Sequence, residues 1–272
     1  MRWSAAGVIL LVAVSGVWGR VAPRVGRLQD KGAPPPRLDR SRIVGGQVTT
    51  QGQFPSVVSL QHRGLFGSTH VCGGTILNEN HVLTAAQCVK GYSAGSFDIV
   101  AGEQSLDFNS GVEEVVRSQH LELHDYSTTT GANDIAIVRT SSPLTLVAGR
   151  AEATPLPTNY QEPAPGTMCT VVGWGYTEDG GSLSSELRYV EVPYLTDQKC
   201  MDIYGPEAIF LDMICAGYTG GRGVCDGDAG GPLFCEGVQI GVVSWGQDCD
   251  ANPFVSTQVS HYIDWITIFI NS

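Results

Sequence analysis

From Ile43 onward, short β-rich runs alternate with turn-forming clusters, and this rhythm restricts the fold more than any other feature of the sequence. Val57-Val58-Ser59-Leu60, Phe97-Asp98-Ile99-Val100, Ile135-Ala136-Ile137-Val138 and Val238 to Val243 are examples, with Gly, Pro, Asn and Asp between them. Short strands at regular spacing with turn signals predict an all-β sandwich or barrel. The 34 glycines follow no G-x-y period, which fits a turn-rich β fold and excludes collagen. With 42 % hydrophobic and 16 % charged residues, the chain can build a sizeable core and is not disordered. Its 272 residues fit one large domain or two small ones. The C-terminus departs from the β rhythm. Ile263, Ile266 and Ile270 recur at helical spacing within the last segment, which predicts a terminal helix. No internal repeat or linker interrupts 43–272.

The N-terminus reads as a leader. A basic start, Met1-Arg2-Trp3, precedes an uncharged, mostly apolar run from Ala5 to Val17 of about thirteen residues, the length of a signal-peptide core. Val17-Trp18-Gly19 places small or aliphatic residues before a cut after Gly19, so 1–19 is expected to be a signal peptide. The run is too short to span a bilayer, which argues against the alternative of a membrane anchor. Residues 20–42 carry seven Arg or Lys and the run Pro34-Pro35-Pro36, the composition of an extended basic propeptide. Arg40-Ser41-Arg42 before Ile43 offers a cleavage site for a trypsin-like protease.

The charge is split. The whole chain has a net charge of -11, but residues 43–272 hold eight basic residues against 25 acidic ones, a net charge of −17. A nucleic-acid partner is therefore not expected, because phosphates need cations. A basic propeptide suits an acidic body. The eight cysteines form an even set, consistent with disulfides in an oxidising compartment.

Several motifs occur in a fixed order: Ile43-Val44-Gly45-Gly46 after an Arg, Cys72-Gly73-Gly74-Thr75, Leu83-Thr84-Ala85-Ala86-Gln87-Cys88, Asn133-Asp134-Ile135-Ala136, Gly173-Trp174-Gly175, Gly227 to Pro232, and Ser244-Trp245-Gly246. Together they resemble the chymotrypsin/trypsin family of secreted serine proteases, over essentially all of 43–272. The resemblance implies two six-stranded antiparallel β-barrels, an active-site cleft between them and a C-terminal helix. It also implies the disulfides Cys72–Cys88, Cys169–Cys235, Cys200–Cys215 and Cys225–Cys249. Counting alone leaves 105 pairings open.

The departures from the family pattern matter as much as the match. The reaction needs a serine nucleophile, a histidine base and an aspartate that orients the histidine. The histidine position holds Gln87 and the serine position holds Ala229, so only Asp134 remains. Glutamine has no titratable nitrogen and alanine has no nucleophile. The resemblance assigns the oxyanion donors to the backbone N–H groups of Gly227 and Ala229. It assigns Thr84 and Ser244 to the support of the aspartate, and His70 and His124 to structural places. The specificity pocket implied by the resemblance is formed by Gly223, Trp245, Gly246 and Phe254. Gly223 provides no acid at its base, Phe254 replaces a glycine of its wall, and Ser256 replaces a tyrosine. Drift after loss of function and a redesigned pocket both account for these changes. Arg42, Ile43 and Asp228 match the family's activation switch, in which the new α-amino group pairs with the buried aspartate. Glu103 and Glu113 match two carboxylates of its calcium loop, with a solvated acidic loop as the alternative. No other cofactor is implied.

The expected function is that of a secreted, monomeric serine protease homologue that has lost catalysis. It would act by binding, as a cofactor, decoy or regulator of extracellular proteolysis or immunity. Its partner would be an extracellular protease, an inhibitor or a surface, with neither nucleic acid nor membrane. The alternatives are a serine-type endopeptidase with residual or unusual hydrolysis, and an inert gut or storage protein.

Overall fold

A closed barrel forms from the first group of strands in the computed structural model, which describes residues 46–177, 180–219, 223–247, 249 and 252–271. Its strands are β2 (Val57–Gly64), β3 (Gly67–Asn78), β4 (His81–Thr84), β5 (Phe97–Ala101), β6 (Glu114–Leu123) and β7 (Ala136–Thr140). They close in the order β2-β3-β4-β7-β6-β5. Closure removes free edges and lets every strand turn side chains inward. Leu60, Ile76, Leu83, Phe97, Ile99 and Ile137 fill the interior and are essentially inaccessible to solvent.

The second group is β8 (Met168–Gly173), β9 (Arg188–Leu195), β10 (Met213–Ala216), β11 (Pro232–Cys235), β12 (Val238–Gly246) and β13 (Phe254–Gln258). These pair in the order β9-β10-β13-β12-β11-β8, and an additional β8–β9 pairing closes the second barrel. The short strand β1 (Gln47–Val48) pairs with Tyr189 and Arg188 at the start of β9. The two six-stranded antiparallel barrels expected from the sequence are both present.

The helices are short. α1 (Ala86–Val89) follows β4 directly, and the Cys72–Cys88 disulfide pins it to β3. α2 (Asp197–Tyr204) starts at Thr196, whose side chain accepts from the Lys199 N–H, and stops at Gly205 with φ 90°. α3 (Ile263–Ile270) is the terminal helix. Ile266 is fully buried on the first barrel's core, and the partly buried Ile263 and Ile270 flank it. Asn78 Nδ2 donates to the Ile270 carbonyl at 3.1 Å and ties the helix end to the first barrel.

All four disulfides pair as the family resemblance implies: Cys72–Cys88, Cys169–Cys235, Cys200–Cys215 and Cys225–Cys249. The barrels meet closely where Gly73 faces Gly231. A Cβ on Gly73 would sit 2.8 Å from the Gly231 Cα, a separation real side chains do not tolerate. The Gly73 N–H donates to the Ala229 carbonyl at 2.8 Å across that contact. The segments expected to be a signal peptide (1–19) and a propeptide (20–42), and with them Arg42 and Ile43, lie outside the described residues.

Candidate active site

α1 and the segment Gly227–Gly231 face each other at the junction of the barrels. Ala229 packs against the core cluster of the first barrel, which contains Ala85, Ala86 and Cys88 on either side of Gln87. Asp134 enters from the start of β7 and is almost fully buried. Its position is set by a surround distant in sequence. Thr257 Oγ1 donates to the Asp134 carbonyl at 2.8 Å. Asp212 accepts from the Asn133 N–H at 2.6 Å and from the Tyr262 hydroxyl at 2.9 Å. Asn133 itself adopts φ 57°, a conformation that asparagine tolerates better than most residues.

Gln87, which the family resemblance sets at the histidine position, spends its backbone N–H and its side-chain amine on acceptors. Its backbone N–H donates to Asp134 Oδ1 at 2.8 Å. Its side-chain Nε2 donates to Asp134 Oδ2 at 2.6 Å and to the Ser244 carbonyl at 2.6 Å. Ser244 Oγ also donates to Asp134 Oδ2, at 2.6 Å. Burial pushes the Asp134 carboxyl upward, and the donors from Ser244 and Gln87 oppose that shift. The expected support from Ser244 is present. Thr84 does something else: its hydroxyl donates to the Gly73 carbonyl at 2.8 Å and so braces the barrel junction instead of the aspartate.

His70 is buried behind the same segment. Its Nε2 lies 3.1 Å from the Gly227 carbonyl, which can only accept, so Nε2 carries the proton. Nδ1 then accepts from the Ser59 hydroxyl at 2.8 Å. Burial lowers the His70 pKa to about 4, although the bond to Gly227 opposes this. The contact braces the loop that carries the two candidate oxyanion donors. Neither the Gly227 N–H nor the Ala229 N–H has a backbone partner among the described residues. His124 stands apart, edge-on to Tyr262 at 5.0 Å and Trp265 at 5.3 Å.

Asp228 points away from this centre. Its Oδ1 accepts from the Gly175 N–H at 2.7 Å and its Oδ2 from the Cys225 N–H at 3.0 Å. Both Gly173 and Gly175 lack the Cβ that would overlap the carboxylate. Burial pushes the carboxyl up to about 6 despite these two donors.

The residues assigned to the specificity pocket lie in the second barrel. Phe254 is 1 % exposed and packs in a core cluster with Tyr194, Ala216 and Val224. It pairs with Gly246 across β12 and β13, where a Cβ on Gly246 would sit 3.4 Å from the Phe254 Cβ. Trp245 packs edge-on to Tyr204 at 4.9 Å. Among the described residues, a Cβ on Gly223 would meet the Cys249 carbonyl at 3.5 Å. Ser256 is fully buried, and its hydroxyl has no hydrogen-bond partner among the described residues.

Glu103 and Glu113 lie close enough to interact. Burial and the charge of Glu113 raise the Glu103 pKa to about 7. Glu113 spends both oxygens on its own loop, accepting from the Ser110 N–H, the Ser110 hydroxyl and the Gly111 N–H. Among the described residues no group of three or more His, Cys, Asp or Glu gathers around a common point.

Two antiparallel barrels with an aspartate-centred site at their junction define the scaffold of a chymotrypsin-like serine protease. The family model described as Trypsin matches residues 43–266, and the chain belongs to the trypsin family. It is 38 % identical over 241 residues to Trypsin-1 of Astacus astacus, covering 82 % of this chain and 98 % of that protein. It is 39 % identical over 231 residues to Trypsin eta of Drosophila erecta, covering 83 % and 88 % of the two chains. The solved structure of human heparin binding protein superposes with a TM-score of 0.75 at 29 % identity, covering 84 % of this chain and 97 % of that one.

The sequence reading missed Thr257, Asp212 and Tyr262 as the groups that place Asp134. None lies in a recognisable motif, and only barrel closure brings them to it.

Proposed function

We propose that this chain is a catalytically silent member of the trypsin family that acts by binding other proteins outside the cell. The observation that carries the reading is Gln87, whose amide donates both hydrogens inward to Asp134 and Ser244, opposite Ala229. A carboxamide cannot accept the proton of a nucleophile at neutral pH, and no nucleophile stands at Ala229 to give one up. Loss of a triad costs about 10⁶ in kcat, in the measured case of subtilisin. From an ordinary kcat of about 10 s⁻¹, roughly one turnover a day is left.

The nearby hydroxyls and histidine do not supply a replacement. Ser244 Oγ is committed to Asp134 and Thr84 Oγ1 to Gly73. Ser59 and His70 form a hydroxyl–imidazole pair, but Ser59 is 0 % exposed and no substrate carbonyl can reach it. The alternative reading, residual or unusual hydrolysis, therefore has no second nucleophile–base pair among the described residues to rest on at this site.

In our reading the chain is secreted, its disulfides formed in an oxidising compartment. Residues 1–19 are the signal peptide and 20–42 the propeptide of a zymogen-like precursor. Cleavage at Arg42 frees the Ile43 α-amino group, and the buried Asp228 carboxylate is the counter-charge that suits it. The bound partner is an extracellular protease, inhibitor or surface, with a role as cofactor, decoy or regulator. A polyanion of the kind named for the heparin binding protein does not suit it. Residues 43–272 carry eight basic against 25 acidic residues.

Two assays test this. The purified protein, cut after Arg42, is expected to release no product from a panel of chromogenic peptides. A kcat above about 10⁻³ s⁻¹, a hundredfold over the triad-less level, would overturn the reading. The repair variant Gln87→His/Ala229→Ser is expected to gain little cleavage after Lys, Arg or large aromatic residues, because Phe254 closes the pocket. Adding Phe254→Gly is expected to raise kcat/KM further. Robust trypsin-like turnover by the double variant alone would refute the blocked pocket.

A further inference from the structure

A cavity of about 400 Å³ lies between strands β4, β6 and β7 of the first barrel and the helix α3. Its wall includes His81, His120, Glu122, Ile137, Arg139 and Phe269, none of which belongs to the candidate active site. The volume is that of a small-molecule site. Strand pairing sets the cationic side chains in a row: Arg139 on β7 stands opposite His81 on β4 and opposite His120 on β6. Residues paired in this way share a face of the sheet, with Cβ atoms about 5 Å apart.

His81 is 5 % exposed, and Asn78 fixes its ring. The Asn78 side-chain oxygen accepts from the Asn80 N–H at 2.9 Å, while the Asn78 amine donates to the Ile270 carbonyl at 3.1 Å. That oxygen lies 2.9 Å from His81 Nδ1 and can only accept, so Nδ1 carries the hydrogen. Burial and the charge of Arg139 lower the His81 pKa, against the opposing charge of Glu79, and the ring is neutral near pH 7. Nε2 is therefore an acceptor, and it has no hydrogen-bond partner among the described residues. Arg139 has no carboxylate partner among the described residues either. Glu122 accepts from His120 Nε2 at 3.1 Å, so that pair answers its own charge. Ile137 and Phe269 make the rest of the wall apolar.

A buried acceptor calls for a donor, and an unpaired guanidinium calls for an anion. We propose that this cavity binds a small hydroxy acid with an apolar body. Its carboxylate pairs with Arg139, its hydroxyl donates to His81 Nε2, and its apolar part packs on Phe269. The close spacing of His81 and Arg139 asks for the hydroxyl and the carboxylate on neighbouring carbons. One negative charge suits the site, because a second would face Glu122. The proposal goes beyond the reading of the chain as catalytically silent and does not depend on it.

The test uses the full chain and mandelate, which joins a carboxylate, an adjacent hydroxyl and a phenyl ring. Titration calorimetry near neutral pH is expected to give a Kd of about 1 mM, ordinary for a ligand of this size. Phenylacetate lacks the hydroxyl and is expected to bind about fivefold more weakly. Phenylethane-diol, in which an alcohol replaces the carboxylate, is expected to bind at least about tenfold more weakly. Arg139→Gln, at an exposed side chain, is expected to raise the Kd for mandelate at least about tenfold and to erase its advantage over the diol. The proposal is overturned if mandelate shows no saturable binding up to about 20 mM. It is also overturned if phenylacetate or the diol binds as tightly as mandelate, or if Arg139→Gln binds mandelate unchanged. The three ligands compared on the unaltered protein decide the matter even if the variant does not fold.

Discussion

Gln87 in α1 beside the first barrel and Phe254 on the last strand of the second are two positions that the family resemblance marks as departures, and their surroundings differ. Around Gln87 the polar framework is whole: the carboxamide takes up bonds to Asp134 and Ser244, and Ser244 still braces the aspartate. Around Phe254 the framework is apolar and only partly satisfied. The ring is buried in the barrel core, and two residues on, the Ser256 hydroxyl is buried without a partner among the described residues. A buried charge tolerates only replacements that keep donating to it, because an unpaired carboxylate is costly. A pocket wall imposes no such condition, and a large ring there adds buried apolar area. The two positions thus leave a satisfied polar network in one barrel and a buried hydroxyl without a partner among the described residues in the other.

The largest test of that contrast is Phe254→Ala. If the ring is core, its loss is expected to cost about 3–5 kcal/mol of stability in urea denaturation. A cost below about 1 kcal/mol would mean the ring is loosely held, and the contrast would collapse.

The pH dependence sharpens the comparison at the segment between the two sites. Burial holds His70 at about 4, below its ordinary 6.5, so its contribution to stability is present above pH 6.5 and is lost as the pH falls toward 4. Asp228 is raised from 3.8 to about 6, so its contribution is present below 3.8 and is lost as the pH rises through 6. In the uncut chain, with no free amino group at Ile43, the two slopes oppose each other between pH 4 and 6. His70→Gln is expected to remove one of them. Stability would then fall with rising pH across that window by up to about 3 kcal/mol, a shift of one unit being worth 1.36 kcal/mol. A flat profile in the variant would show that Asp228 is not desolvated as its burial implies.

Gln87→Leu removes the side-chain donor to Asp134 and Ser244 while keeping an apolar stem. Its expected cost is about 1–2 kcal/mol, since a buried acceptor loses its partner but the backbone N–H and Ser244 Oγ remain on the carboxylate. An unchanged melting temperature would show that the carboxamide bonds carry no weight. The smallest effect runs the other way. Ser256→Ala removes a hydroxyl that is buried without a partner, and a gain of up to about 1 kcal/mol is expected from thermal melts. A loss of stability would reveal a hydrogen bond to that hydroxyl, and the second barrel would then be as well ordered as the first.

Much of this was legible in the residues themselves. Strand rhythm, glycine-marked turns and the helical spacing of Ile263, Ile266 and Ile270 are local patterns, and local patterns survive reading in one dimension. The motif order around Cys72, Gln87, Asp134 and Ala229 likewise carried the family and its disulfides. What the sequence alone left undecided is which way each polar group turns. Gln87 meets Asp134 across 47 residues and Ser244 across 157, so its amide orientation exists only once both barrels have closed. Thr84 was expected beside the aspartate but bonds Gly73, because the antiparallel pairing of β3 with β4 inside the first barrel brings that carbonyl to its hydroxyl. Asp212, Thr257 and Tyr262 gained their roles in the same way. A hydrogen bond is short and directional, so its partners are chosen by the final packing of segments far apart in the chain.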